Sequence, residues 1–210
     1  MSKKILGFIG LGAIGLPIAS NLIKAGYHLQ VHTRSRSAEF DKLLQGSKPS
    51  SSPKEAAKDC SFLFLCVSDD NAVDDVLFGV NGALDSLKEG SYIIDLSTIS
   101  PSKSKSIAEN LSKKNIFYID APVTGGTEGA KNASLTIFLG CDSRTLKHLS
   151  PLLKCISINR YAFGSPGKGQ EVKAINQILI AGTYASVAEA IALGQYLELD
   201  MEIVVKALKT

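Results

Sequence analysis

Residues 5–26, ILGFIGLGAIGLPIASNLIKAG, constrain this chain more than any other stretch. An apolar run that fits a buried parallel strand ends at Gly10, and Gly10, Gly12 and Gly15 stand as G-x-G-x-x-G. A helical pattern follows, with Ile14, Ile18, Leu22 and Ala25 on one face and Gly26 as a stop. Strand, glycine turn and helix in this order form the context in which such glycines bind a dinucleotide. Gly10 permits the tight turn, Gly12 has no Cβ to obstruct an approaching pyrophosphate, and Gly15 lets the helix pack close to the strand. The free N–H groups of the first helical turn face the phosphates, with the positive end of the helix dipole behind them. Glycine turns also join strands to helices where nothing binds. The flanking elements and the N-terminal position favour a nucleotide site, with Leu11, Ala13 and Ile14 filling out its loop.

The next hundred residues alternate strands and helices. Apolar runs at 29–32, 62–67, 91–95 and 116–120 read as strands, and helical patterns lie near 38–44, 54–58, 71–78 and 100–114. Ser52-Pro53 and Ser100-Pro101 place a capping hydroxyl and a first-turn proline at two helix starts. Strands with few polar positions, separated by helices, predict a doubly wound parallel sheet of the Rossmann type. The pattern changes after Asp120. A glycine-rich turn at 124–129 leads to a strand at 135–139, a helix near 144–153 and a short strand near Ile156. Gly164-Ser165-Pro166-Gly167-Lys168-Gly169 marks a boundary between residues 1–165, a nucleotide-binding domain, and residues 166–210, the opening of an all-helical domain. From there to about Leu197 a long helix is apolar around much of its circumference and is expected to be buried. A second helix opens near Met201 without a closing cap, so further helices, a partner chain or both are expected to cover the first.

Bulk properties exclude several classes. With 45% hydrophobic and 20% charged residues the chain has the composition of a soluble globular protein. A net charge of +3 is too small to point to nucleic acid or an anionic membrane surface. No N-terminal targeting pattern and no apolar run of membrane-spanning length is apparent. Cys60, Cys66, Cys141 and Cys155 form no C-x-x-C and read as reduced thiols of a cytoplasmic protein, without a metal site. Asp69, Asp70, Asp74 and Asp75 suit a helix start, and Lys103 and Lys105 a solvated helix face.

Three further constellations carry chemistry. After the second strand the run Thr33-Arg34-Ser35-Arg36 has no acid to hold a ribose 2′-hydroxyl. Two guanidiniums and two hydroxyls there suit a 2′-phosphate, which favours NADP(H) over NAD(H); the alternative is a pair of solvated loop charges. Lys173 and Asn176 lie at i and i+3 on the long helix, with Gly169 one turn earlier clearing space above the lysine. From spacing alone a snorkelling lysine on a partly exposed helix is the better reading. Beyond a strand's carboxyl end, Thr124 offers a hydroxyl and Gly125 and Gly126 offer backbone N–H groups as an anion nest.

Together these blocks resemble the β-hydroxyacid dehydrogenase family, which includes 3-hydroxyisobutyrate dehydrogenase and the tartronate, glyoxylate and succinic semialdehyde reductases. Residues 10–22 match its cofactor signature, residues 120–130 its substrate signature with Thr124 in place of serine, and Gly167-x-Gly169-x-x-x-Lys173-x-x-Asn176 its catalytic signature. Residues 95–101 match a cofactor-side block in which Thr98 lies near the nicotinamide. The resemblance implies a two-domain oxidoreductase, with Val67 and Ser68 on the nicotinamide side, Lys173 as general acid/base in a dry cleft, Asn176 orienting a small hydroxyacid or aldehyde, and 124–126 holding its carboxylate. The apolar surface of the long helix predicts a homodimer or higher oligomer through the helical domain. Ile14 stands for the usual methionine, Ser68 for a common proline and Glu198 for a common glycine, and a further cofactor-contacting lysine of the family falls beyond residue 210. A 6-phosphogluconate dehydrogenase proper is disfavoured by Ala174-Ile175-Asn176, where that enzyme carries histidine-asparagine, and the imine reductases by Lys173 itself. A nucleotide-binding or oligomerisation module without catalysis is the remaining alternative.

Overall fold

The structure, a computed structural model, describes residues 5–35, 40 and 45–209. Strands β1 (Ile5–Ile9), β2 (His28–His32), β3 (Lys48–Pro49), β4 (Phe62–Leu65), β5 (Tyr92–Asp95) and β6 (Phe117–Asp120) form one parallel sheet in the order β3-β2-β1-β4-β5-β6. The order reverses between β1 and β4, where an open α/β sheet leaves a crevice at its carboxyl edge. Helices α1 (Gly15–Lys24), α2 (Pro53–Ala57), α3 (Asp70–Phe78) and α4 (Pro101–Ser112) connect the strands. Their starts are chemically marked. Ser52 Oγ accepts from the Glu55 N–H at 3.2 Å, Asp69 Oδ1 from Ala72 at 2.9 Å and Ser100 Oγ from Lys103 at 3.3 Å, satisfying amides that a helix cannot pair internally.

Successive side chains of a strand point to opposite faces, and here both faces are buried. Phe62 and Phe64 join a core with Phe8, Ile18 and Leu22, while Leu63 and Leu65 join another with Val73, Leu77 and Ile107. That explains the continuous apolar runs: neither face of the sheet meets water. The helix expected at 38–44 lies outside the described residues, save Phe40.

After β6 a smaller sheet forms, β7 (Val123–Thr124), β8 (Leu135–Leu139) and β9 (Ser157–Ala162) in that order, antiparallel then parallel. The expected turn at 124–129 is in part a short helix, α5 (Gly126–Lys131), and α6 (Ser143–Leu153) joins β8 to β9. The strand expected near Ile156 is six residues long and begins at Ser157. It lies at a sheet edge, so Asn159 and Arg160 can face water and no apolar alternation announces it.

The chain divides into two compact units, Met1–Lys173 and Ala174–Thr210. Helix α7 (Lys168–Tyr196) begins in the first and continues through the second, which also holds α8 (Met201–Leu208). The burial expected of α7 is not found in the second unit: Ile178, Leu179 and Tyr184 are 72%, 67% and 73% exposed. Two helices of such unequal length hold too little chain to enclose one another. Between Lys173 and Tyr196 only Glu189 carries a formal charge. Contrary to the expectation, α7 is therefore long and apolar enough to cross a membrane by length and composition, with a mean hydropathy of 1.3 over its most apolar window. It closes in a Schellman motif, in which Leu199 N–H donates to Gly194 O and Glu198 N–H to Gln195 O, both at 3.0 Å. Glu198 takes φ +56° there, the left-handed conformation that favours glycine.

One buried side chain ties the fingerprint helix to the smaller sheet's connection. Buried Asn21 on α1 donates from Nδ2 to Ala130 O at 2.8 Å and Lys131 O at 3.3 Å, at the end of α5. Asn21→Leu leaves these carbonyls without that donor, at a cost of about 1–3 kcal/mol. Urea denaturation is expected to show a lower midpoint with an unchanged slope.

Candidate functional site

The crevice predicted by the strand order is a cleft of about 480 Å3. Gly10, Leu11, Gly12, Ala13, Ile14 and Gly15 line one side, Thr33, Arg34 and Ser35 the end of β2, and Val67 and Ser68 the loop after β4. Each glycine answers a different constraint. Gly10 has φ +95°, and a Cβ there would press on the Cys66 carbonyl and lie 2.9 Å from Val67 Cγ1. A Cβ on Gly15 would meet the Gly10 carbonyl. Gly12 faces open space, with nothing within 4 Å of an added Cβ. No side chain caps the α1 amides and no acid occupies the first turn. The cleft therefore fits a dinucleotide: a phosphate can reach bare backbone at Gly12 and the uncapped helix start. Arg34 is exposed at the rim. Hydrogen bonds from Ser68 and Ala72, together with the charge of Arg34, hold Asp69 below the usual carboxylate range. Arg36 lies outside the described residues. His32, Cys66, Ala72, Asp75 and Val76 also line the cleft; their only signal in the sequence is adjacency to the matched blocks or one face of α3.

A second group of residues gathers where α7 starts. Lys173 is 8% exposed, and its Nζ donates to Val123 O at 2.8 Å. The next residues, Thr124, Gly125 and Gly126, turn sharply, the glycines with φ +124° and +62°. Burial lowers the Lys173 ammonium below the ordinary lysine range, because a charge loses hydration and here gains a neutral carbonyl in exchange. Asn176 belongs to the second unit, where its Nδ2 donates to Gln177 Oε1 at 3.2 Å. Thr98 does not line the dinucleotide cleft; it stands exposed between buried Ser97 and Ile99.

The space expected above Lys173 from Gly169 has another use. A Cβ on Gly169 would strike the Phe138 carbonyl and lie 2.8 Å from Asp120 Oδ2 and 3.0 Å from Gly140 N. The glycine lets the helix start seat directly on the ends of β6 and β8. Asp120 receives it: Oδ1 accepts from Gly167 N–H at 2.8 Å and Oδ2 from Gln170 N–H at 3.0 Å. Sequence reasoning gave Asp120 no role, since its partners lie 47 and 50 residues away. Nor are Lys103 and Lys105 simply solvated. Lys103 pairs with Asp74, and Lys105 reaches Glu171 at 2.8 Å. Lys105 and Lys168 together hold the Glu171 carboxyl down at about 2.

A second buried carboxylate, Asp95, ends β5. Its Oδ1 accepts from Ser97 N–H at 2.9 Å and its Oδ2 from Tyr118 Oη at 2.6 Å. Burial nevertheless pushes its carboxyl up to about 6, with the Asp120 charge adding to the rise. A carboxyl raised on folding stabilises the fold below its unfolded value, near 4, and loses that contribution as pH rises through 6. Wild type is therefore expected to lose about 2 kcal/mol relative to Asp95→Asn between pH 4 and pH 7. Urea midpoints of both proteins across that range measure it, and parallel curves would contradict it.

Comparison with known proteins agrees with this geometry. Residues 5–164 match the family described as the NAD binding domain of 6-phosphogluconate dehydrogenase, and residues 167–210 that described as NAD-binding of NADP-dependent 3-hydroxyisobutyrate dehydrogenase. The chain is 36% identical over 208 residues to an uncharacterized oxidoreductase of Bacillus subtilis, covering 99% of this chain and 72% of that protein. It is 37% identical over 187 residues to the 2-hydroxy-3-oxopropionate reductase of Escherichia coli, covering 89% and 63%. A solved structure of Psf3 in complex with NADP+ and 2-OPP superposes with a TM-score of 0.88 at 29% identity, covering 96% and 71%. The chain thus spans roughly two thirds of the length of these relatives. With a dinucleotide cleft at one sheet edge and a buried lysine at the helix start beyond it, the chain belongs to the β-hydroxyacid dehydrogenase family.

Proposed function

We propose that the protein transfers hydride between NADP(H) and a small carboxylate-bearing aldehyde or the matching hydroxyacid, with Lys173 as general acid/base. The observation that carries this reading is Lys173 itself: a buried amine on a neutral carbonyl, one residue from a turn of exposed glycine amides. The bound dinucleotide would supply hydride to the carbonyl carbon in reduction and take it back in oxidation. Lys173 donates a proton from Nζ to the carbonyl oxygen as the alcohol forms, and recovers it in reverse. Burial lowers the Lys173 ammonium below the ordinary lysine range, which eases release of that proton to the substrate. Thr124 Oγ1 and the Gly125 and Gly126 amides hold the substrate carboxylate, and Asn176 orients the reacting carbonyl. Gly10 to Gly15, Thr33, Ser35, Val67 and Ser68 receive the cofactor, Arg34 pairs with its 2′-phosphate, and Thr98, outside the cleft lining, faces the nicotinamide end. The relative from Escherichia coli, named for reduction of 2-hydroxy-3-oxopropionate, supports this substrate class. The exposed apolar surface of α7 supports assembly as a homo-oligomer.

The test is oxidation of NADPH and NADH with glyoxylate, succinic semialdehyde, tartronate semialdehyde and methylmalonate semialdehyde. Turnover is expected with NADPH, falling about 10²–10⁴-fold in Lys173→Ala while NADPH binding persists. NADPH binding without turnover of any aldehyde would instead favour a nucleotide-binding module. Arg34→Ala is expected to weaken NADPH roughly tenfold, the scale of one charge-assisted contact, and to leave NADH within twofold. Equal effects on both cofactors, read by fluorescence titration, would remove Arg34 from the 2′-phosphate.

A further inference from the structure

Gln170 lies on the first turn of α7 and is 1% exposed. Its Nε2 donates to Ser97 O at 2.8 Å, and its Oε1 accepts from Ile99 N–H at 3.3 Å. One side-chain amide thus grips the backbone on both sides of Thr98, as a neighbouring strand would. Its own backbone N–H is fixed on Asp120, and Lys173 follows it by one helical turn. The turn it grips is tied in two further directions. Ser97 N–H donates to Asp95, and Ser97 Oγ accepts from Val67 N–H at 3.0 Å. Val67 lines the dinucleotide cleft. A continuous chain of hydrogen bonds therefore runs from the cleft loop through the Thr98 turn to the helix turn that carries Lys173. An apolar side chain of similar shape would fill this space but leave the Ser97 carbonyl and the Ile99 N–H without these partners. What the amide adds is a fixed register between the two backbones.

We propose that Gln170 is a positioning residue: it locks the Thr98 turn to the Lys173 turn, so that the proton donor is held in register with the nicotinamide side of the site. This rests on the reading of Lys173 as general acid/base. Displacement of a reacting group by about 1 Å is enough to cost on the order of 10²-fold in rate.

The test uses the full chain and two variants. Gln170→Met keeps the length and removes both bonds, while Gln170→Glu keeps an acceptor for Ile99 N–H. Steady-state kinetics with NADPH and the best aldehyde are expected to show kcat reduced roughly 10–100-fold in Gln170→Met. KM for the aldehyde and Kd for NADPH should stay within about threefold, with Gln170→Glu intermediate. Hydrogen exchange at the Ile99 amide should accelerate about tenfold or more in Gln170→Met, scaling with the loss of one buried bond. Unchanged kcat overturns the proposal. So does a fall in kcat matched by an equal loss of NADPH binding, or failure of both variants to fold, since each assigns Gln170 to the core alone. If the wild type turns over no aldehyde, the functional reading fails by itself. The exchange measurement then still decides the clamp, and unaltered protection at Ile99 overturns it.

Discussion

The structure turns on a buried carboxylate at the end of β6. Asp120 is fully buried, and its two oxygens take the Gly167 and Gln170 amides at the start of α7. A helix start exposes amides that its own turns cannot satisfy, and a partial positive charge with them. Asp120 meets both needs from another element, across a gap so narrow that Gly169 and Gly140 must lack side chains. The place where Lys173 meets the Val123 carbonyl follows from that seat.

The neighbourhood of this seat is electrostatically tense. Asp95 and Asp120 end adjacent strands in register and are both withdrawn from water. Desolvation raises both carboxyls, against the hydrogen bonds that favour their charged forms. Tyr118 takes the opposite side of the same balance: burial and the two carboxylates raise its phenol far above its ordinary range. It stays protonated and donates to Asp95. The polar groups at this edge are thus held by directed bonds, which is what keeps them fixed enough to organise the turns around them.

The sheet was legible in the sequence because its determinants are local. Apolar runs such as Phe62-Leu63-Phe64-Leu65, and caps such as Ser52-Pro53 and Ser100-Pro101, declare themselves over a few residues. Most of the residues lining the dinucleotide cleft were legible for the same reason, lying in matched blocks at strand ends. Contacts between distant segments were not. Gln170 meets Ser97 and Ile99 across 73 and 71 residues, and neither side carries a motif for that meeting. By its spacing Gly169 clears room above Lys173, whereas in the structure the place of its missing side chain is taken by Asp120 and the β8 backbone. The edge strand β9 has no apolar alternation, and the exposure of α7 depends on how much chain surrounds it, which periodicity does not encode.

The three fingerprint glycines are usually treated as one motif, yet the surroundings divide them. Gly10 and Gly15 are demanded by the protein's own backbone, through the Cys66 and Gly10 carbonyls, whether or not anything occupies the cleft. A Cβ on Gly12 would meet nothing of the protein. Its lack of a side chain answers only to the guest. In a lineage of this fold that abandoned its cofactor, selection would release the middle glycine and keep the outer two. A sequence reading G-x-A-x-x-G or G-x-S-x-x-G would then record a lost ligand on an intact scaffold, a trace that overall similarity would not reveal.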